Sequence, residues 1–280
     1  MAFEIATASA EDFVRMVGWA RDEGWNPANT DGVAFYATDP GGYLMGRLDG
    51  EPVCCISVVR YGEGLGFLGF YIARPPVRGK GYGIQVWNAG MKRLAGRNVG
   101  LDGVPAQQAN YRKSGFRLAW NNARCEGVPA ATPPVPAGVR LVDARSIAFD
   151  KLAAYDRRFF PDGRDTFLAP WITAAERTSL VALKDGEIVG FGVIRASATA
   201  SRIGPLYATT PDIAAGLIGK LAAAMPGPIA VDMPDFNQPG TRLAEQLGLK
   251  PAFETARMYT GPGPVIDRAG LFSVASFELG

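Results

Sequence analysis

The sequence predicts an α/β (α+β) protein: two tandem copies of one unit, each a mixed, mostly antiparallel twisted sheet flanked by helices. Three observations carry this. At 280 residues, 48 % apolar and 20 % charged, the chain is long enough for two domains with full hydrophobic cores. Residues 127–138 read GVPAATPPVPAG, a proline-rich, uncharged run that suits an extended, semi-stiff linker. On either side of it the same text recurs in the same order. Asp49-Gly50-Glu51-Pro52-Val53 matches Asp185-Gly186-Glu187-Ile188-Val189, and Val99-Gly100-Leu101-Asp102 matches Ile229-Ala230-Val231-Asp232. Ser114-Gly115-Phe116 with Ala123-Arg124-Cys125 matches Leu247-Gly248-Leu249 with Ala256-Arg257-Met258. The division that follows is a first domain over 1–126, the linker over 127–138, and a second domain over 139–280.

Each element of the first copy follows from local pattern. Leu44 to Leu48, Val53 to Tyr61 and Gly66 to Ala73 are rich in β-branched and aromatic residues and read as successive strands. The Asp-Gly pair between the first two is the turn of a β-hairpin, repeated at Asp185-Gly186. Beyond Gly83, the residues Ile84, Trp87, Met91 and Leu94 recur at helical spacing, the buried stripe of an amphipathic helix. Val99 to Leu101 is a short buried strand, Ala106 to Ser114 a helix stopped by Gly115, and Phe116 to Cys125 the closing strands.

Composition removes whole classes of function. The formal charge of +2 offers no field of one sign to attract a nucleic-acid backbone or an anionic membrane, so neither partner is expected. There is no histidine, which excludes His-dependent triads, His metal ligands and His pH switches. Cys54, Cys55 and Cys125 are odd in number and form no CxxC pair, so neither a disulfide framework nor a metal site is expected. Reduced, buried thiols suit a cytoplasmic location. The charged first thirty residues have no continuous apolar core and no later stretch approaches the roughly eighteen apolar residues of a membrane span, so neither secretion nor a membrane span is expected.

The segment Arg78-Gly79-Lys80-Gly81-Tyr82-Gly83 joins a predicted strand to the amphipathic helix. It therefore sits at a helix N-terminus, where backbone N–H groups lack intrahelical partners and the macrodipole is positive. Its three glycines allow positive φ and close approach, so successive N–H groups can converge on an anion, with Arg78 and Lys80 beside it. A pyrophosphate suits such a turn. The spacing is neither that of a P-loop nor that of a Rossmann fingerprint.

This segment resembles the R/Q-x-x-G-x-G/A motif of the GNAT superfamily of acyl-CoA-dependent N-acyltransferases. Tyr111-Arg112-Lys113-Ser114-Gly115-Phe116, some thirty residues on, resembles that superfamily's Y-x-x-x-G-F element. The resemblance implies two tandem GNAT-like domains and acetyl-CoA as cosubstrate, its pyrophosphate held by Arg78 to Gly83. It further implies a thioester beside Tyr71, Ile72 and Ala73, whose backbone N–H groups can donate to the acyl oxygen, and Tyr111 as general acid for the departing thiolate. At an unperturbed pKa of about 10, a tyrosine is protonated at neutral pH and can donate. Asn110 and Lys113 can reach the cofactor's phosphate or pantetheine, or are solvated helix residues.

No glutamate stands in the strand before the turn. Asp102, at a strand's C-terminal end, is one candidate general base or amine-orienting group, and Glu63 is another. The repeat of Asp102 at Asp232 equally favours a structural role. Trp25, Asn26 and Asp31 fall where GNAT members build the acceptor side, though Asn-Pro followed by Asp is also an ordinary turn.

Carried into the second copy, the alignment sets Ala214 opposite Arg78, Leu217 opposite Gly81 and Ala244 opposite Tyr111. The second domain is therefore expected to be degenerate, keeping the fold without the cofactor. Completing the acceptor pocket, forming a homodimer and binding a regulatory ligand all remain open to it. The function expected is N-acetyl transfer to a primary amine of a small molecule, with a non-catalytic acyl-CoA sensor or interaction protein as the alternative.

Overall fold

The computed structural model describes residues 2–131 and 133–280. The first half runs β1 (Phe3–Thr7), α1 (Ala10–Asp22), α2 (Asp31–Thr38), β2 (Tyr43–Leu48), β3 (Glu51–Tyr61), β4 (Leu65–Ala73), α3 (Tyr82–Arg93), β5 (Asn98–Gly103), α4 (Gln108–Lys113) and β6 (Arg117–Gly127). The second repeats the series as β7 (Arg140–Asp143), α5 (Phe149–Asp156), α6 (Asp165–Thr173), β8 (Arg177–Lys184), β9 (Glu187–Arg195), β10 (Ser201–Ala208), α7 (Pro211–Ala224), β11 (Ile229–Pro234), α8 (Gln238–Gln246) and β12 (Lys250–Tyr259). A last strand, β13 (Leu271–Ser273), has no counterpart in the first half.

Local chemistry accounts for the boundaries. Ser9 and Asp12 form a reciprocal capping box that starts α1. Asp49 and Gly50, and again Asp185 and Gly186, all have positive φ, the conformation that lets a two-residue turn follow the strand twist. In α3 the buried face is Val86, Trp87 and Gly90, with Leu94 just beyond. Ile84, expected on that stripe, is 52 % exposed because the first turn of α3 faces a cleft rather than the sheet. The expected helix from Ala106 is a 3-10 turn over Pro105–Gln107 followed by α4, and one long strand, β6, replaces the expected closing strands.

The two halves share one sheet whose order is a palindrome. It reads β1-β2-β3-β4-β5-β12-β6-β11-β10-β9-β8-β7, with β13 pairing β10 off this path. The final strand of each repeat has crossed over: β12 lies between β5 and β6, and β6 lies between β12 and β11, all antiparallel. A pseudo-two-fold axis passes between β6 and β12.

The same symmetry relates two buried ion pairs. Arg257 of β12 donates to both oxygens of Asp102 at 2.9 and 2.5 Å, and Arg124 of β6 donates to both oxygens of Asp232 at 2.7 and 3.1 Å. Each half's aspartate is thus neutralised by the other half's arginine. One apolar core also spans the halves, with Phe35 of α2 against Phe167 and Trp171 of α6 at ring separations of 6.5 and 5.8 Å. All three cysteines are buried and unpaired.

Candidate active site

Strands β4 and β5 pair in parallel from Leu65 to Leu68 against Asn98 to Leu101, and that pairing ends there. Immediately past this point β4 carries a bulge: Ser57 faces Gly69 and Cys55 faces Ile72, so Phe70 and Tyr71 together oppose Ile56. Phe70 adopts φ +44°, a strained value for an aromatic residue, and is 1 % exposed. Such a bulge bends the strand and takes its backbone groups out of the ladder. A cavity of about 840 Å³ opens there, of the size that holds small-molecule ligands.

Its outer wall is the glycine turn. Gly79 and Gly81 adopt φ +75° and +84°, and Gly81 begins α3 with no side-chain cap, leaving the first-turn N–H groups free for a ligand. A Cβ on either glycine meets no protein atom, so the space beside them is open. Arg78 donates to the carbonyl of Ala73 at 2.8 Å and forms an ion pair with Glu23. Tyr71, Ile72, Ala73, Gly83, Asn110 and Lys113 line the same cavity. Lys80 is exposed and off the wall, and Tyr82 turns away onto Phe3 at a ring separation of 4.8 Å.

Tyr111 projects from α4 onto the opposite wall, stacked on Trp87 at 5.8 Å and edge-on to Phe116 at 6.4 Å. Gly103 leaves room for it, because a Cβ there would overlap the ring. Burial, with the nearby Tyr71, pushes the Tyr111 hydroxyl up to about 12, so it carries its proton at neutral pH.

Asp102 also reaches the cavity, but both its oxygens are taken by Arg257, and Asn122 donates a further hydrogen bond at 2.9 Å. Burial raises its carboxyl above the ordinary value, against the pull of Arg257. Glu63 is exposed beyond β3 and off the cavity wall.

The acceptor-side expectations separate. Trp25 lines the cavity, its carbonyl accepting from Arg124 at 3.0 Å. Asn26 and Asp31 do not. Asn26 donates to Ser197 and to the carbonyl of Ala200, at 3.0 and 3.3 Å. Asp31, 1 % exposed, accepts from Arg195 at 2.5 Å with Arg177 at 3.6 Å. A carboxylate buried this deeply needs such cationic partners, and here it ties the two halves together. The remaining wall was invisible to local sequence reading: Arg124, Phe253, Thr255, Phe277 and Glu278 come from the crossed strands and the segment after β13. Their separation from the motifs, up to about two hundred residues, leaves no spacing signal.

The corresponding wedge of the second half is closed. Where β10 and β11 part after Ile203 and Val231, β13 pairs with β10 at Leu206 and Tyr207, and Val274 donates to the carbonyl of Asp232 at 3.1 Å. No glycine turn precedes α7, which starts at Pro211, capped by Thr210. Ala214, Leu217 and Gly219 are interior to that helix and buried. Pro134 to Pro136 of the linker pack over it, a Cβ on Gly216 lying 3.1 Å from Val135, and Ala130 donates to the carbonyl of Leu247 at the end of α8 at 3.0 Å.

Comparison with known proteins gives the class. The model of the Acetyltransferase (GNAT) family matches residues 6–116, and that of an Acetyltransferase (GNAT) domain matches residues 152–273. The chain is a tandem-domain acyltransferase of the acyl-CoA-dependent kind. It belongs to the GNAT family. Holothin acyltransferase of a Pseudoalteromonas species is 30 % identical over 275 residues, 98 % of this chain and 93 % of that one. An uncharacterized N-acetyltransferase of Bacillus subtilis, YitH, is 26 % identical over 84 % of this chain and 83 % of its own. Among solved structures, a Pyrococcus horikoshii protein superposes with a TM-score of 0.83 at 18 % identity, covering 99 % of this chain and 96 % of that one. A tandem GNAT protein from the clavulanic acid biosynthesis pathway gives 0.65 at 15 % identity, over 94 % and 100 %. Among the described residues, no helix is long and apolar enough to cross a membrane and no three metal-ligating side chains gather.

Proposed function

We propose that this chain transfers an acetyl group from acetyl-CoA to a primary amine of a small molecule, by direct attack, at one site in the first half. The observation that carries the reading is the contrast between the wedges: one is open and lined by the glycine turn and Tyr111, while the other is filled by β13. In this reading Arg78 and the turn from Gly79 to Gly83 receive the pyrophosphate, with Asn110 and Lys113 beside the pantetheine. Lys80, exposed next to the turn, contributes charge without contact. The backbone past the Phe70 bulge, at Tyr71 to Ala73, donates to the acyl oxygen as the oxyanion forms. The amine nitrogen attacks the carbonyl carbon, the C–S bond breaks, and Tyr111 gives the sulfur its proton. The second half, without a cofactor, supplies the wall that the acceptor meets.

Calorimetry with acetyl-CoA and thiol release across a panel of amines test this together. One site per chain and amine-dependent release are expected. Two equivalent sites, or no release with any amine, would overturn it.

A further inference from the structure

We propose that Glu278, carried by the second half, takes the proton from the attacking amine at the first half's site, and that this amine has a flat, aromatic body. The inference rests on the acetyl-transfer reading above and adds the base and the acceptor class to it.

Three acidic residues line the cavity. Glu23 is paired with Arg78 at the glycine turn, and Asp102 has both oxygens committed to Arg257. Glu278 differs: the residue is 3 % exposed, and its Oε2 is buried with no hydrogen-bond partner among the described residues. Glu278 lines the cavity while its carboxylate accepts no hydrogen bond among the described residues, a costly state for a buried acid that a donor arriving with a ligand relieves. An amine is such a donor.

Its position suits the step. A Cβ on Gly69 would overlap the Glu278 carbonyl oxygen, so Glu278 lies against the first residue past the β4–β5 pairing, beside the Phe70 bulge. The segment is fixed on both sides. Tyr61 donates to the carbonyl of Leu279 at 2.9 Å, and the Leu279 N–H donates to Ser276 at 3.1 Å. The charged groups around the carboxylate are Arg202 of β10, with Nη1 3.6 Å from Oε1, then Arg195 of β9 and Asp102 of β5. Arg202 is itself held by Asp232 at 2.5 Å, so it stays in place while the Glu278 carboxylate takes up a proton.

The surrounding wall is aromatic. Trp25, Phe253 and Phe277 line it, and Arg124 sits over the last two rings at 5.6 and 4.9 Å while its charge is spent on Asp232. Such a surface rewards a planar apolar body and offers little to a polyhydroxylated one. In the step, Glu278 accepts one proton from nitrogen as the C–N bond forms, and Tyr111 gives one to sulfur as the C–S bond breaks. Solvent in the cleft returns the proton between them, so an amine and a thioester become an amide and a thiol.

The test uses the full chain with acetyl-CoA and four probes: aniline, 2-phenylethylamine, tryptamine and, as the polar control, glucosamine. Aniline is uncharged near neutral pH, and comparing wild type with variants on this one amine cancels its own protonation from the acid limb of the rate profile. At least one aromatic amine should exceed glucosamine in kcat/KM by about tenfold, the weight of a modest set of pocket contacts. Glu278→Gln should lower kcat by about 10²-fold and flatten the acid limb, with acetyl-CoA affinity unchanged by calorimetry. Glu278→Asp keeps the charge and loses reach, so it should lower kcat and retain the limb. It stands in if the Gln variant fails to fold. Failure of the wild type to bind acetyl-CoA would remove the reading beneath the inference. Acetyl-CoA binding with no aromatic amine accepted, glucosamine preferred, or wild-type kcat and limb in the variants would overturn the inference itself.

Discussion

Tyr111 is held on three sides, by Trp87, Phe116 and the gap left at Gly103, so removing its hydroxyl leaves the ring where it is. Tyr111→Phe should therefore lower kcat by about 10²-fold, as loss of a general acid does, with little effect on acetyl-CoA affinity; stopped-flow thiol release, with chemistry limiting, measures it. The same hydroxyl links folding to pH. Its folded pKa, about 12, lies above the unfolded value of about 10, so its contribution to stability is complete below the lower value and is lost as pH rises through the upper one. The difference in Tm between wild type and Tyr111→Phe should change across that window and be constant below it. At the glycine turn, Gly81→Glu puts a Cβ at φ +84° and a carboxylate where the pyrophosphate is proposed to sit, and calorimetry should find acetyl-CoA binding abolished. That Arg78, Gly79, Gly81, Gly83 and Tyr111 line one cavity could be read from local chemistry, a helix start, a run of glycines and a fixed interval, whereas Lys80 and Tyr82 of the same run lie off it. The surroundings of Asp31, Asp102 and Glu278 could not be read this way, since each is defined by an arginine more than seventy residues away.

Elements repeat the lesson at larger spacing. The β2–β3 and β8–β9 hairpins could be read directly, because Asp-Gly dictates the turn and the turn dictates the register. The buried stripe of α3 could be read except at its start: Trp87, Met91 and Leu94 pack on the core, but a cleft at the first turn exposes Ile84, which periodicity alone assigns to the core. Asp232, within β11, joins three strands, with Arg124 of β6 and Arg202 of β10 both on its oxygens. Burial alone would raise its carboxyl, but the two guanidiniums override that and hold it near about 2. Asp232→Asn keeps the shape and strands two buried cations, so chemical denaturation at neutral pH should show a loss of about 3–5 kcal/mol. Because the folded pKa is depressed, the wild type's advantage over Asp232→Asn is present above the unfolded value of about 3.9 and should shrink as pH falls toward 2.

For the whole molecule, the repeat was visible in the text while its assembly was not. β6 and β12 carry matching sequence, and nothing local says that each pairs with the other half's β11 and β5. A chain cut after Ala130 loses the strand between β5 and β6, the partner of Asp102 and the contacts of Phe35 with Phe167 and Trp171. It should not fold alone, whereas the intact chain should melt in one calorimetric transition. Two separate transitions, or a folded fragment by circular dichroism, would contradict this.

The crossed strands also set a timetable for synthesis. Emerging from the ribosome, the first half presents β5 with one long edge bare, and its missing neighbour is encoded some 150 residues later, at Ala256 to Tyr259. An unfilled edge of that kind is a template for pairing with the wrong chain, and distant pairing is slow to form. During that interval the correct pairing competes with pairing to another nascent chain, and the competition lasts as long as β12 takes to emerge.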